Sequence, residues 1–480
     1  MDKENTESNQ LQPQDSPNPG VVKQNLKDAG NRSSNHYKKR LSPLRFYLRQ
    51  KCLPLVRSET AVLEKIQQRY RNPVLDIYFA WTANLASHTF YVLMLPLPLW
   101  FGASRMARDL IFVLGMGIYV TGFCKDFLCL PRPRSPPLHR ITMSSYTAQE
   151  YGWPSSHSAN ATAVTLVLTA KLWELRSDLG FALWSALMVL LAVYYFSLIA
   201  GRLYCGMHGF LDVGTGALIG SAMFIFRLFF GTAVDQWVFA SPRNGSWWGI
   251  FATAWMIILG HLALIHVYPE PVDDCPCFDD SVAFVGVLIG LDLSHYVCVL
   301  SNRFAATNAF FDPIRVPFDT SRGPINCLMR FILGVALVVV WKSVSKPVLF
   351  TILPPIYKLV GVYLPRSHFI STARTKKTSR QIRSQSLSNM KNEPMLELDN
   401  VLKSVVANGK TQVGPTDDID AYELLDYQSK HPDEKYENVK ISGVFRKRYD
   451  VEIIGRVIVY AGISITSVWG FALASEAMGL

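Results

Sequence analysis

The sequence predicts an all-α fold, a polytopic transmembrane helical bundle with about eight to ten spans. Three observations carry that reading. The chain of 480 residues is 49% hydrophobic and only 18% charged, although its first forty residues and a late segment are polar, so its middle is strongly apolar. The apolar residues fall in runs of roughly 20, the length at which a helix crosses a bilayer. Lipid leaves only helices or a closed barrel as spanning structures, and runs of this length select helices.

The elements follow in order. Met1–Arg40 is rich in Asn, Ser, Gln, Asp, Lys and Pro, a composition that buries too little apolar area to offset ordering entropy, and a disordered tail is expected over residues 1–50. An amphipathic helix lying in the headgroup plane is expected over 51–71. Ser58 suits its start, Glu59 its first turn, and Val62, Leu63, Ile66 and Tyr70 share a face beside Arg57, Lys65, Arg69 and Arg71. Spans are expected at Ile77–Trp100, Leu110–Leu128, Ser158–Leu175, Gly180–Ile199, Gly209–Phe230, Trp248–Val267, Val282–Leu300, Ile325–Val344 and Ile454–Ala474. A tenth candidate, Val348–Leu364, holds Pro354 and Pro355 and is expected to kink or re-enter. The chain thus divides into a membrane core over 72–230, further helices over 231–367, a polar loop over 368–450 and a C-terminal helix over 451–480. That loop is basic around Arg374, Lys376, Lys377, Arg380 and Arg383, then acidic from Asp417 to Glu434, with Ser384 and Ser386 placed for phosphorylation.

A net charge of +11 invites a nucleic-acid partner. Lys and Arg that flank membrane spans face anionic headgroups instead, so membrane lipids, and no nucleic acid, are the expected contacts. The sequence sets no oligomeric state. Most of the eight cysteines lie in or beside apolar runs. Of the eight, Cys275 and Cys277, in the acidic loop Asp273–Asp280, alone have the spacing of a disulfide or metal pair, and that short spacing is a weak signal that leaves two unbonded cysteines as the plainer reading. The first forty residues lack the apolar core of a secretory signal.

Three polar clusters interrupt the apolar middle, where each charge near the bilayer centre costs roughly 2.5 to 3.5 kcal/mol. The first holds Lys125, Arg132 and Pro133. Pro131 and Pro133 end the helix, leaving an extended exit that curls Arg132 back toward Lys125. The two cations either converge on one anion or snorkel at a span's end. The second holds Pro154, Ser155, Ser156 and His157 at a helix start, where backbone N–H groups and the Ser155 hydroxyl form an anion site beside His157, or an ordinary capped terminus. The third holds Arg202, His208 and Asp212. His208 and Asp212 stand one helical turn apart, so the carboxylate can fix the imidazole tautomer and leave its other nitrogen nucleophilic, or simply make a structural bond. Because the spans alternate direction, all three clusters meet on one side of the membrane.

Lys-x6-Arg-Pro, Pro-Ser-x-His and Arg-x5-His-x3-Asp, in that order, resemble the phosphatidic acid phosphatase type 2 superfamily. Cys129 to Pro133, Ser135 to Arg140 and Tyr204 to Gly209 further resemble the fungal sphingosine-1-phosphate phosphatases of the endoplasmic reticulum. The resemblance implies that Lys125, Arg132, Arg202, Ser155 and Ser156 bind the phosphoryl group, that His208 attacks phosphorus, that Asp212 orients it and that His157 protonates the leaving alkoxide. It implies a sphingoid base 1-phosphate substrate and neither metal nor cofactor. It also implies a lumenal active site, whereas counting spans from the basic N-terminal region by the positive-inside rule gives the cytosol. Two positions depart from the superfamily: Ser156 stands where Gly is frequent, and Gly201 where Ser is frequent. Phosphatidic acid, diacylglycerol pyrophosphate and polyprenyl phosphates share the same phosphoryl group and remain alternative substrates. A non-enzymatic lipid transporter is the reading from another class, though transporters usually carry repeated halves.

Overall fold

The computed structural model describes residues 29–32, 34–143, 149–240, 246–273, 275–301, 316, 318–359, 449 and 451–480. Its regular elements are helical, with no strand among the described residues. The expected tail over 1–28 and the polar loop over 368–448, with Ser384 and Ser386, lie outside the described residues.

Helix α1 (Ser34–Arg40) precedes α2 (Pro43–Tyr70), which starts where Ser42 accepts from the Arg45 N–H and Pro43 takes the first helical position. Helical structure therefore begins before the boundary expected at residue 50. The buried stripe of α2 also differs from the expected face: it is Arg49, Val56, Thr60, Leu63 and Gln67, while Val62 and Tyr70 are exposed. Contacts with protein backbone explain the shift. Arg45 donates to the carbonyls of Asp126 (2.7 Å) and Phe127 (2.9 Å), and Gln67 to those of His139 (2.9 Å) and Tyr204 (2.8 Å). Polar residues are buried there for hydrogen bonds that an apolar pattern does not register.

The expected span Ile77–Trp100 is not one helix. It breaks into α3 (Pro73–Thr82), a 3-10 turn (Ala83–Ala86), α4 (His88–Met94) and α5 (Leu97–Trp100). Ser87 adopts an extended backbone and caps α4 by accepting from the Phe90 N–H, while Pro96 and Pro98 remove donors around α5.

The bundle continues with α6 (Ser104–Leu128), α7 (Ser156–Glu174), α8 (Arg176–Tyr204), α9 (Phe210–Ala240), α10 (Trp247–Val267), α11 (Cys277–Ser301), α12 (Gly323–Leu359) and α13 (Val451–Ile465). A π-helical turn (Thr466–Gly470) leads from α13 into α14 (Phe471–Ala477). Among the described residues, seven helical segments are long and apolar enough to cross a membrane: α6, α8 to α12, and the run Val451–Ala477. This is a multi-pass helical membrane protein. Helix α7 falls outside the seven because its first turns carry Ser156, His157, Ser158 and Asn160; it packs against α6, α8 and α9. The expected tenth element is the end of α12, which continues through Pro354 and Pro355 to Leu359.

The chain divides into two compact units, Met1–Val348 with Gly455–Leu480, and Leu349–Ile454. Within the second, the Tyr357 hydroxyl donates to the Tyr449 carbonyl at 2.6 Å. Within the first, buried Asp273 fastens the start of the described chain to the loop before α7. Its carboxylate accepts from the Gly30 N–H (2.9 Å), the Tyr37 hydroxyl (2.7 Å) and the Tyr151 hydroxyl (3.0 Å), and pairs with His36 at 3.1 Å.

Candidate active site

Four helix ends bring the clusters together. Helix α6 stops at Cys129, whose φ of 53° is left-handed and whose N–H bonds the Lys125 carbonyl at 2.8 Å. The proline-bounded exit then returns Arg132 to the site. Its Nε donates to the Glu150 carbonyl (2.9 Å), and its Nη1 to the Met207 carbonyl (2.8 Å) and to His208 Nε2 (3.0 Å). The Gly152 N–H bonds the Leu130 carbonyl at 2.9 Å. A Cβ at Gly152 would meet the Pro131 carbonyl oxygen at 2.5 Å, so a glycine lets this loop lie directly on the Pro131–Arg132 backbone.

At the start of α7, Ser155 is the cap. Its Oγ accepts from the Ser158 N–H (3.3 Å) and hydroxyl (2.9 Å), and its own N–H donates to the Asp212 carbonyl at 2.9 Å. The second and third clusters are thereby joined backbone to backbone. Of the two serines expected to bind phosphate, Ser156 faces the cavity and accepts from Lys125 Nζ at 2.9 Å, whereas Ser155 is fully buried in its capping role.

His208 precedes α9. Its Nδ1 donates to the Gly152 carbonyl at 2.9 Å, which leaves Nε2 as the acceptor of the Arg132 bond. Asp212, expected to orient the imidazole directly, lies 3.6 Å from Nδ1 and accepts the Gly209 N–H at 2.9 Å. The Gly152 carbonyl thus makes the orienting bond, and Asp212 holds the turn that carries His208. Glu59 of α2 steadies the same turn by accepting from the Leu211 N–H at 2.9 Å.

A cavity of about 250 Å³ opens beside these groups, lined by Lys125, Glu150, Ser156, His157, Asn160 and Arg202. Arg132, Ser155, His208 and Asp212 are buried and are not among its lining residues. Arg202 is 5% exposed, and its Nε has no hydrogen-bond partner among the described residues. Glu150 is the residue that motif reading missed. It pairs with Lys125 and, at 3.7 Å, with Arg132. Burial alone would raise its carboxyl, but Lys125 and Arg132 outweigh that and hold it down at about 2. Its one sequence signal is its place directly before Tyr151 and Gly152.

Electrostatics suit nucleophilic chemistry on an anion. Burial, then the charges of Arg132, Lys125 and Arg202, hold the His208 imidazole well below its ordinary range, so it is neutral, with its unprotonated Nε2 engaged by Arg132. Burial lowers the Arg132 guanidinium to about 10 against the pull of Glu150, and it stays charged at neutral pH. Among the described residues, Asp126, Cys275 and Cys277 come close enough to hold a metal, but the two sulfurs are joined in a disulfide.

The PAP2 superfamily model matches residues 106–235, the stretch from α6 to α9 that carries all three clusters. A dihydrosphingosine 1-phosphate phosphatase of Saccharomyces cerevisiae is 37% identical over 73% of this chain and 82% of its own length. Another, of Schizosaccharomyces pombe, is 33% identical over 88% of each chain. Human sphingosine-1-phosphate phosphatase 2 is 26% identical over 62% of this chain and 72% of its own. No solved structure matches the chain. With cations, imidazoles and a serine-capped helix terminus assembled from the matched stretch, this multi-pass membrane protein belongs to the PAP2 superfamily, with the yeast dihydrosphingosine 1-phosphate phosphatases among its relatives.

Proposed function

We propose that the protein hydrolyses sphingoid long-chain base 1-phosphates to the free base and inorganic phosphate, in the endoplasmic reticulum membrane. Arg202 is the observation that carries this reading. A buried guanidinium without an ion pair among the described residues is costly unless an anion arrives, and this one lines a cavity beside Lys125 and His157. The names of the relatives supply the substrate class.

In the first step His208 Nε2 attacks phosphorus, a P–N bond forms and the P–O bond to C1 breaks. His157 gives its proton to the departing alkoxide. Arg132 leaves Nε2 and follows the phosphoryl oxygens, joined by Lys125, Arg202, Ser156 and the N-terminal amides of α7. Water deprotonated by His157 then attacks phosphorus, the P–N bond breaks, and phosphate departs. Three cations meet the charge that spreads over the equatorial oxygens.

Labelled dihydrosphingosine 1-phosphate supplied to membranes bearing the protein tests this. Release of phosphate is expected to persist in EDTA, and His208→Ala is expected to lower it by about 10,000-fold or more. Acid-labile label should be trapped on the wild-type chain and not on His208→Ala. Undiminished release by His208→Ala sinks the mechanism. Faster turnover of phosphatidic acid, diacylglycerol pyrophosphate or a polyprenyl phosphate would reassign the substrate, and lipid movement without phosphate release would indicate a transporter.

A further inference from the structure

Beyond the cavity of the phosphate site lies a second one, narrow at about 40 Å³ and lined chiefly by apolar side chains. None of the residues assigned to phosphate binding or to bond breaking lines it.

Three elements wall both cavities, and each runs from one to the other along a single face. On α6, Lys125 and Ile118 line the first cavity and Ile111 the second, at steps of two helical turns. In the broken helix before α6, Ser87 lines the first, and Tyr91 and Leu95, one and two turns on, line the second. On α11, Asp280 lines the first, and Phe284 and Val287 line the second. Close approaches hold this register. A Cβ at Gly115 of α6 would meet the Leu288 side chain of α11 at 3.2 Å, and one at Gly286 of α11 would meet the Val457 carbonyl oxygen of α13 at 2.8 Å. From Lys125 back to Ile111, α6 rises about 21 Å, more than the roughly 15 Å of hydrocarbon in one leaflet. The two cavities therefore follow end to end over the length of one lipid chain.

The walls of the second cavity belong to the protein interior. Tyr91, Ile111, Phe284 and Ile463 are all buried around it, and α6 and α11 are the most buried of the seven membrane-crossing segments. Interiors normally pack as densely as organic crystals. An apolar void left there holds no water readily and forfeits dispersion contacts, which an entering alkyl chain restores. Its narrowness suits one slender chain. The exposed apolar side chains of α8 and α9, such as Phe181 and Phe229, offer bilayer lipid a different surface, and neither helix lines the second cavity.

We propose that the alkyl chain of the sphingoid base 1-phosphate runs from the phosphate site into this second cavity, between α6, α11 and α13, so that the enzyme selects chain length inside the protein instead of leaving the chain in the bilayer. This rests on the proposed function and extends it to the apolar half of the substrate. Helices α11 and α13 lie outside the stretch 106–235 matched by the superfamily model, so phosphoryl chemistry and chain selection come from different parts of the sequence. Ala283, three residues beyond Asp280 on α11, stands where the second cavity begins.

Two measurements on the full chain in detergent test this. The first compares kcat/KM for dihydrosphingosine 1-phosphate and for its eight-carbon homologue, which is too short to enter the second cavity. Ala283→Phe, which plugs the entrance, is expected to lower the value for the long substrate by about tenfold or more, and for the short one by less than about threefold. The second uses dihydrosphingosine 1-phosphate with a photoreactive diazirine at the chain terminus, bound to His208→Ala so that it stays intact. Label is expected on α11 or on residues 460–468, beside Val287 and Ile463. Equal losses on both substrates, no loss on either, or no label on either segment overturns the proposal while leaving phosphatase function in place. Should Ala283→Phe fail to fold, the photolabel decides. Failure of wild type to release phosphate from either substrate instead overturns the proposed function, and this proposal with it.

Discussion

The same helices carry buried charge at both ends, and the two ends are built differently. At the far end, Arg108 of α6 bonds Asp235 of α9 (2.8 Å) and Asp292 of α11 (2.9 Å), and Arg227 of α9 bonds Asp235 (2.6 Å) and Asp109 (2.6 Å). His295 completes it, its Nδ1 lying 2.6 Å from Arg108. Every cation there has carboxylate partners on a neighbouring helix. At the end that carries the candidate site, about 25 Å further along α6, Lys125 and Arg132 share Glu150, and Arg202 has no acid partner among the described residues. Buried charge alone therefore does not mark a site. A cation left unmatched beside a cavity does, because its desolvation is offset only when an anion binds.

The largest effect expected from this contrast falls on Arg202. Arg202→Ala should lower kcat by roughly 100- to 1,000-fold, the usual loss when one donor to a developing charge is removed, with little change in the thermal midpoint of the detergent-solubilised protein. Asp235→Asn should do the opposite. Removing the acid shared by Arg108 and Arg227 should destabilise the bundle by about 3 kcal/mol, seen as a lower thermal midpoint, while kcat per folded molecule stays within about twofold. If Asp235→Asn abolished turnover in a stable protein, the far cluster would belong to the mechanism and the contrast would fail.

Legibility in the sequence divides along a related line. Lys125, Arg132, His157, Arg202 and His208 could be read because each sits in a short motif at the end of an apolar run, and alternating runs place those ends together. Glu150, Gly152, Glu59 and Asp273 could not. Each acts on a partner distant in sequence or through a backbone group, and neither leaves a spacing. Hydropathy windows erred for a comparable reason: averaging over Ile77–Trp100 hides the cap at Ser87, and the charges Arg105, Arg108 and Asp109 moved the expected start of α6 to Leu110 although the chain is helical from Ser104. Buried ion pairs let a helix carry charge that a one-dimensional scale counts as cost.

The smallest expected effect is a shift in pH dependence, and it tests whether the unmatched positive field reaches the nucleophile. In the proposed mechanism attack requires neutral imidazole at His208, so the acid limb of kcat should follow its folded-state ionisation. Burial and the charges of Arg132, Lys125 and Arg202 disfavour a further positive charge there, so the neutral form survives as pH falls through about 6.5, the ordinary imidazole value. The acid limb should accordingly lie below that pH. Replacing Lys125 with Met removes one of those charges, and the limb of the residual activity should move up toward 6.5. In Arg108→Met at the far end, where the cation is matched by acids and separated by most of a helix, the limb should stay where it is in wild type. A limb at or above 6.5 in wild type, or one that ignores Lys125, would show that the catalytic cations are as fully compensated as those of the far cluster.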